Sequence, residues 1–157
     1  MKFHTLRRKQ WVRRPLAEVF EFFSDAQNLG KITPPWLGFR ILTPTPIRIE
    51  VDTRIQYRLM WHGIPVRWTT KIRRWEPPFR FVDVQLAGPY RLWHHTHRFE
   101  SEDGATRIID IVRYQLPFGI VGRVMHFLKV GRDVERIFDY RCQRIQDVFG
   151  PAPEEAK

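Results

Sequence analysis

Apolar and polar positions alternate with a two-residue period through the middle of the chain and recur every three or four residues near both ends. Phe3 to Val12 reads as a first strand. Pro15 then stands at a helix-starting position ahead of Leu16, Val19, Phe20 and Phe23, which repeat at helical spacing. Ser24 or Asp25 suits the cap of a further short helical turn through Leu29, which Thr33, Pro34 and Pro35 stop because proline removes a donor and restricts its predecessor.

From Trp36 to Leu116 short runs are bounded by Pro44, Pro46, Gly63, Pro65, Pro77, Pro78, Gly88, Pro89 and Gly104, a spacing that predicts five or six antiparallel strands. Ile55, Tyr57, Leu59 and Trp61 alternate with Arg54, Gln56, Arg58 and Met60, and Val66, Trp68, Thr70 and Ile72 alternate with Arg67, Thr69, Lys71 and Arg73. One face of this sheet is therefore covered. Past a break at Gly119 and Gly122, an amphipathic helix is predicted over 124–148, with Val124, Phe127, Val130, Val134, Ile137, Phe138, Arg141, Ile145 and Val148 on its apolar stripe.

The same parity places polar side chains where a dry core does not tolerate them. Trp93, His95, His97 and Phe99 share one face, and Asp110 shares another with Ile108, Val112, Tyr114 and Leu116. A buried carboxylate requires a partner. If Phe81 points inward, Asp83 and Gln85 follow it. Same-face residues on neighbouring strands touch, so Asp83, Gln85, His95, His97 and Asp110 are expected to form one polar floor, walled by Tyr57, Trp68, Thr70, Trp93 and Tyr114. That inventory suits a small-molecule pocket. The competing reading is a satisfied hydrogen-bond network in which each Asp fixes a His and nothing binds.

Length and charge narrow the function classes. At 157 residues the chain makes one domain, expected over 1–150, and the Pro- and Glu-rich tail 151–157 is expected to fray. The net charge is +10, but the basic residues lie scattered along strand exteriors and no nucleic-acid-binding motif accompanies them. Specific nucleic-acid binding is not expected, and an anionic membrane surface is the macromolecular partner that the charge suits. The single cysteine, Cys142, fits a reducing compartment, and no signal-like or membrane-spanning apolar run is present, so a cytoplasmic protein is expected, as monomer or homodimer.

Several segments carry a resemblance to a known superfamily: Phe20-Glu21-Phe22-Phe23-Ser24-Asp25, Asn28-Leu29, Ile32-Thr33-Pro34-Pro35, Gly63-Ile64-Pro65 with Trp68, Gly88-Pro89-Tyr90 with Trp93-His94-His95, and Ile137-Phe138-Asp139-Tyr140-Arg141. Over residues 1–150 the chain resembles the START-like or SRPBCC proteins, in particular a small bacterial subgroup of the polyketide cyclase/dehydrase-like members. The resemblance implies an α+β helix-grip (START/Bet v 1-like) fold: a curved antiparallel sheet around a long C-terminal helix, two short helices after the first strand, and a hydrophobic cavity between sheet and helix. It matches no enzymatic signature residue by residue.

Binding of a small apolar or amphipathic molecule is accordingly the leading expectation, with a cyclase or dehydratase second. In that second reading Asp83, His95, His97 and Asp110 are the candidate acid and base groups, since burial and pairing move their pKa values toward neutrality. His95 and His97, with Asp83 or Asp110, also have the residue types of a metal site, but spacing alone is weak evidence; neither a metal nor another cofactor is expected. Arg141 is expected to pair with a carboxylate or cap the cavity, and the segment around Pro34, Pro35 and Gly38 is the candidate entrance.

Overall fold

A computed structural model describes residues 2–150; the tail expected to fray at 151–157 lies outside the described residues. The chain runs β1 (His4–Val12), α1 (Leu16–Ser24), two 3₁₀ turns (Ala26–Ile32 and Pro35–Leu37), then β2 (Arg40–Ile41), β3 (Arg54–Trp61), β4 (Ile64–Glu76), β5 (Arg80–Ala87), β6 (Leu92–Glu102) and β7 (Ala105–Gln115). Helical backbone closes it: α2 (Gly119–Met125), a π turn (His126–Val130) and α3 (Gly131–Phe149). This is the helix-grip fold, a seven-stranded antiparallel sheet in the order β1-β7-β6-β5-β4-β3-β2.

Local chemistry explains the front end. The Asp25 carboxylate accepts a hydrogen bond from the Gln27 backbone N–H at 2.9 Å, so the 3₁₀ turn has its cap. Between β1 and β7, Leu6 stands opposite Val112, and both pack with Val130, Val134 and Phe138 in one apolar cluster. A second cluster gathers Val12, Val19, Phe20, Phe23, Phe81, Phe99, Ile108, Ile145 and Phe149. The buried Asp110 and His97 lie between them, because Asp110 separates Ile108 from Val112 along β7 and His97 stands two residues before Phe99 on β6.

The C-terminal helical run begins at Gly119, earlier than the pattern predicts. Gly122 lies inside it rather than at a break, and the position requires glycine because a Cβ there would overlap the Pro117 carbonyl oxygen. Val124, Phe127 and Val148 are exposed, Phe127 to 83%, whereas Val130, Val134, Phe138, Arg141 and Ile145 are buried. The π turn lies between exposed Val124 and the buried run from Val130, and shifts the phase of the stripe there; Val148, in the last turn of α3, lies off the buried face. No helix among the described residues is long and apolar enough to cross a membrane.

Candidate functional site

A cavity of about 410 Å³ lies between the concave face of the sheet and the C-terminal helix. The inward parity of β3 and β4 supplies one wall through Ile55, Tyr57, Leu59, Trp61, Val66, Trp68, Thr70 and Ile72. Val134, Ile137, Phe138 and Arg141 supply the facing wall, and Phe22, Phe23 and Leu29 close one end. At the other end the chain from Leu116 to Phe118, with Gly122 and Met125, forms a rim whose Phe118 is 78% exposed.

The polar floor is built by strand register. Asp83 of β5 stands opposite His95 of β6, and His97 of β6 stands opposite Asp110 of β7. All four side chains project from the same face, but their short hydrogen bonds run diagonally: His97 Nε2 to Asp83 Oδ2 at 2.7 Å and His95 Nε2 to Asp110 Oδ1 at 2.7 Å. The two imidazoles overlap with ring centroids 3.7 Å apart. Phe81, which does point inward, stacks on His97 at 4.0 Å, and Phe138 meets His95 edge-on at 5.3 Å, so apolar rings fix both imidazole planes. From the helix, Arg141 brings Nη2 to 3.8 Å from Asp110 Oδ1 and 3.4 Å from His97 Nδ1.

These contacts set the charges. Burial pushes the Asp110 carboxyl up, but the Arg141 guanidinium and the hydrogen bonds from His95 and His97 outweigh it and hold the group well below the usual carboxylate range. Asp83 behaves alike: burial opposes ionisation, the His97 hydrogen bond and the neighbouring cationic charge prevail, and its carboxyl is lowered. His95 is pushed down to about 4 by burial and by the charge on His97. Burial also disfavours the His97 cation, but hydrogen bonds to Asp110 and Asp83 overcome that and raise it. The two imidazoles are thus pushed in opposite directions, His95 toward its neutral form and His97 toward its cation.

The predicted site residues do not all reach the cavity. Tyr57, Trp68, Thr70, Asp83, Trp93, His95 and His97 line it, with Tyr57 and Thr70 joined through their hydroxyls at 3.1 Å. Gln85 instead serves the β5–β6 turn, donating to the Tyr90 carbonyl at 2.7 Å and accepting from the Tyr90 N–H at 3.2 Å. Asp110 sits behind the imidazole pair rather than on the wall, and Tyr114 bonds His126 Nε2 at 2.7 Å. Arg141 and Tyr90 belong to the lining as well; the helical stripe signalled the first, and the Gly88-Pro89 turn leading into Tyr90 was the available signal for the second. Trp68 Nε1 and Arg141 Nε are buried without a hydrogen-bond partner among the described residues, so each is a donor beside the cavity with an unmet requirement.

Sequence comparison agrees with this architecture. Residues 12–138 match the family described as "Polyketide cyclase / dehydrase and lipid transport". The chain belongs to that family. It is a member of the SRPBCC superfamily, and solved structures repeat its fold at low identity. The Zhui aromatase/cyclase from Streptomyces sp. R1128 is similar with a TM-score of 0.69 and 16% identity over 95% of this chain and 98% of that one. The protein TTHA0849 from Thermus thermophilus gives 0.65 and 20% over 92% and 99%. The major latex-like protein 151 of Panax ginseng gives 0.65 and 8% over 95% and 99%. Comparison with curated proteins returns no sequence match.

Proposed function

We propose that this SRPBCC protein binds a small hydrophobic or amphipathic molecule, for transport or sequestration, with the ligand's apolar body between sheet and helix and its polar end on the Asp83–His97 floor. The observation that carries the reading is the cavity itself: about 410 Å³, walled by aromatic and aliphatic side chains, with a few convergent polar groups at one place. The unpartnered Trp68 Nε1 supports a ligand acceptor such as a carbonyl, and the Asp83 carboxylate supports a ligand donor such as a hydroxyl. The family's description, which includes lipid transport, is consistent with this reading.

The exposed apolar edge at the rim supports loading from an anionic membrane surface. Phe118, Ile120, Val121, Phe127 and Leu128 are all exposed in a segment that also carries Arg123 and Lys129, a combination that suits the boundary of a negatively charged bilayer. A cytoplasmic setting fits the lone thiol of Cys142, which burial pushes up to about 11 and so keeps unreactive.

The test is native mass spectrometry of the purified full chain, followed by solvent extraction of whatever is carried along. The expected result is a one-to-one adduct that the cavity-filling Ile137→Trp abolishes. Absence of any adduct, together with a melting temperature unmoved by fatty acids, sterols and aromatic polyketides, overturns the reading, because a ligand that prefers the native state must stabilise it.

One observation favours a cyclase or dehydratase as the second reading. Two adjacent imidazoles are pushed in opposite directions, which is how an acid and a base are set apart in one site. A His95→Gln protein that keeps its affinity for a substrate while turnover falls a hundredfold or more establishes it.

A further inference from the structure

The floor contains a gap that hydrogen bonding does not close. One nitrogen of each imidazole and a carboxylate oxygen of Asp83 lie within 4.8 Å of one another, all on the face that lines the cavity. Asp110 ties down the opposite side of both rings: His95 Nε2 lies 2.7 Å and His97 Nδ1 3.3 Å from Asp110 Oδ1. The remaining nitrogens, His95 Nδ1 and His97 Nε2, therefore turn toward Asp83. With its proton on Nε2 for Asp110, His95 presents a lone pair at Nδ1 to Asp83 Oδ2 across 3.8 Å, beyond hydrogen-bond reach. Two electron-rich atoms face each other there. Arg141 approaches Asp110 on the far side, and among the described residues no Lys or Arg is within 4.0 Å of Asp83.

We propose that His95 Nδ1, His97 Nε2 and Asp83 Oδ2 bind one first-row divalent metal ion, with zinc the best match, leaving one coordination position open to the cavity. Two imidazole nitrogens and one carboxylate oxygen are the donors borderline metals take, and three protein ligands plus an open position is the pattern of non-structural zinc sites. Bonds of about 2.1 Å hold tetrahedral ligands about 3.4 Å apart. The separations of Asp83 Oδ2 from His97 Nε2, 2.7 Å, and from His95 Nδ1, 3.8 Å, straddle that value, so small side-chain adjustments suffice.

Asp110 then has the position of the carboxylate that orients metal-bound imidazoles from behind, and Phe81 and Phe138 hold the ring planes. On binding, the metal takes the place of the proton between His97 Nε2 and Asp83, and the neutral ring keeps its one proton on Nδ1, facing Asp110. The use of the open position by a ligand oxygen rests on the proposed binding function; the three protein donors do not.

The experiment uses the full chain, stripped with EDTA and dialysed. It is titrated with cobalt(II) chloride, followed by its visible d–d bands, and with zinc chloride by calorimetry. One equivalent is expected to bind with the intense bands of four- or five-coordinate cobalt. His95→Gln, His97→Gln and Asp83→Asn are each expected to weaken binding a hundredfold or more. Asp110→Asn, a positioning change, is expected to weaken it ten- to a hundredfold and to alter the band shape. His126→Gln, outside the site, is expected to change nothing. No saturable binding by the parent protein overturns the proposal without reference to any variant. Binding that survives His95→Gln and His97→Gln but is lost in His126→Gln also overturns it, by assigning the metal to the surface pair of His4 and His126. The same samples are titrated with an apolar fluorescent probe, against Ile137→Trp as the blocked control. Probe binding without metal binding sinks only the metal site, and metal binding without probe binding sinks only the ligand reading.

Discussion

His97 and Asp110 face each other directly across β6 and β7, yet the short hydrogen bond to Asp110 comes from His95, two residues away on the same strand. The diagonal arises because His97 turns Nε2 toward Asp83 on the other flank, leaving Nδ1 at 3.3 Å from Asp110. Each carboxylate thereby meets both imidazoles, and the four groups act as one charged unit.

That coupling predicts non-additive stability. Arg141→Met removes a buried cation that compensates Asp110, and it should destabilise the protein by about 3 to 5 kcal/mol, the scale of a buried charge left unpaired. Adding Asp110→Asn removes the uncompensated charge, so the double variant should be more stable than the sum of the two single changes by at least about 1 kcal/mol. Urea unfolding of the four proteins measures this. Simple additivity would show that Arg141 contributes through packing alone.

Much of this unit was legible in the alternation of β6 and β7, which places His95, His97 and Asp110 on the covered face; the alternation of β5 left its inward side open, and Asp83 joined them only on the condition that Phe81 points inward. Alternation does not tell which inward polar group reaches a void. Gln85 shares the parity of Asp83 but turns to the Tyr90 backbone, and Asp110 is screened by the imidazoles, because those outcomes depend on side-chain length and neighbouring turns. The helical stripe located Arg141 without saying which strand it faces. The π turn at His126–Val130 escaped detection for a related reason: a shift of helical phase leaves the residues apolar but moves them from core to surface, as with Phe127.

Trp68 offers a second prediction. Its Nε1 is buried and unpartnered, while its ring packs beside Tyr57 and against Trp93 edge-on at 5.2 Å. Trp68→Phe should therefore weaken an extracted ligand that carries a carbonyl or hydroxyl acceptor about tenfold, the value of one hydrogen bond of roughly 1.4 kcal/mol. A pure hydrocarbon probe should keep its affinity within about twofold, and equal losses for both would assign the residue a packing role only. Competition titrations separate the outcomes.

A third prediction concerns pH. His4 and His126 stack with centroids 3.4 Å apart, joining β1 to the π turn, and Tyr114 holds His126 at 2.7 Å. Burial and the Lys2 charge lower His4, and burial and the His4 charge lower His126, both from an ordinary value of 6.5. Above that value neither state of the chain carries these protons and the pair does not affect the balance. As pH falls below it, the unfolded chain takes up protons that the folded chain resists, so stability declines. His126→Gln should lose less stability than the parent protein between about pH 7 and pH 5. Urea midpoints across that range test it, and parallel curves would remove the pair from the acid response.

The apolar rim carries the last prediction. Phe127 is 83% and Leu128 64% exposed, so replacing both by Glu removes little buried surface and should leave the melting temperature almost unchanged. The same change exchanges two membrane-seeking side chains for two negative charges next to Lys129. At an anionic surface both effects act in one direction, since apolar insertion is lost and like-charge repulsion is gained. Sedimentation with phosphatidylserine-containing vesicles should fall at least tenfold, and binding of the parent protein should weaken as salt is raised, because the basic residues act through screened attraction. If the segment instead buries itself against a second copy of the chain, the parent protein sediments as a dimer, the double variant as a monomer, and vesicles bind neither. Ultracentrifugation alongside the vesicle assay decides between a rim that meets a bilayer and one that meets itself.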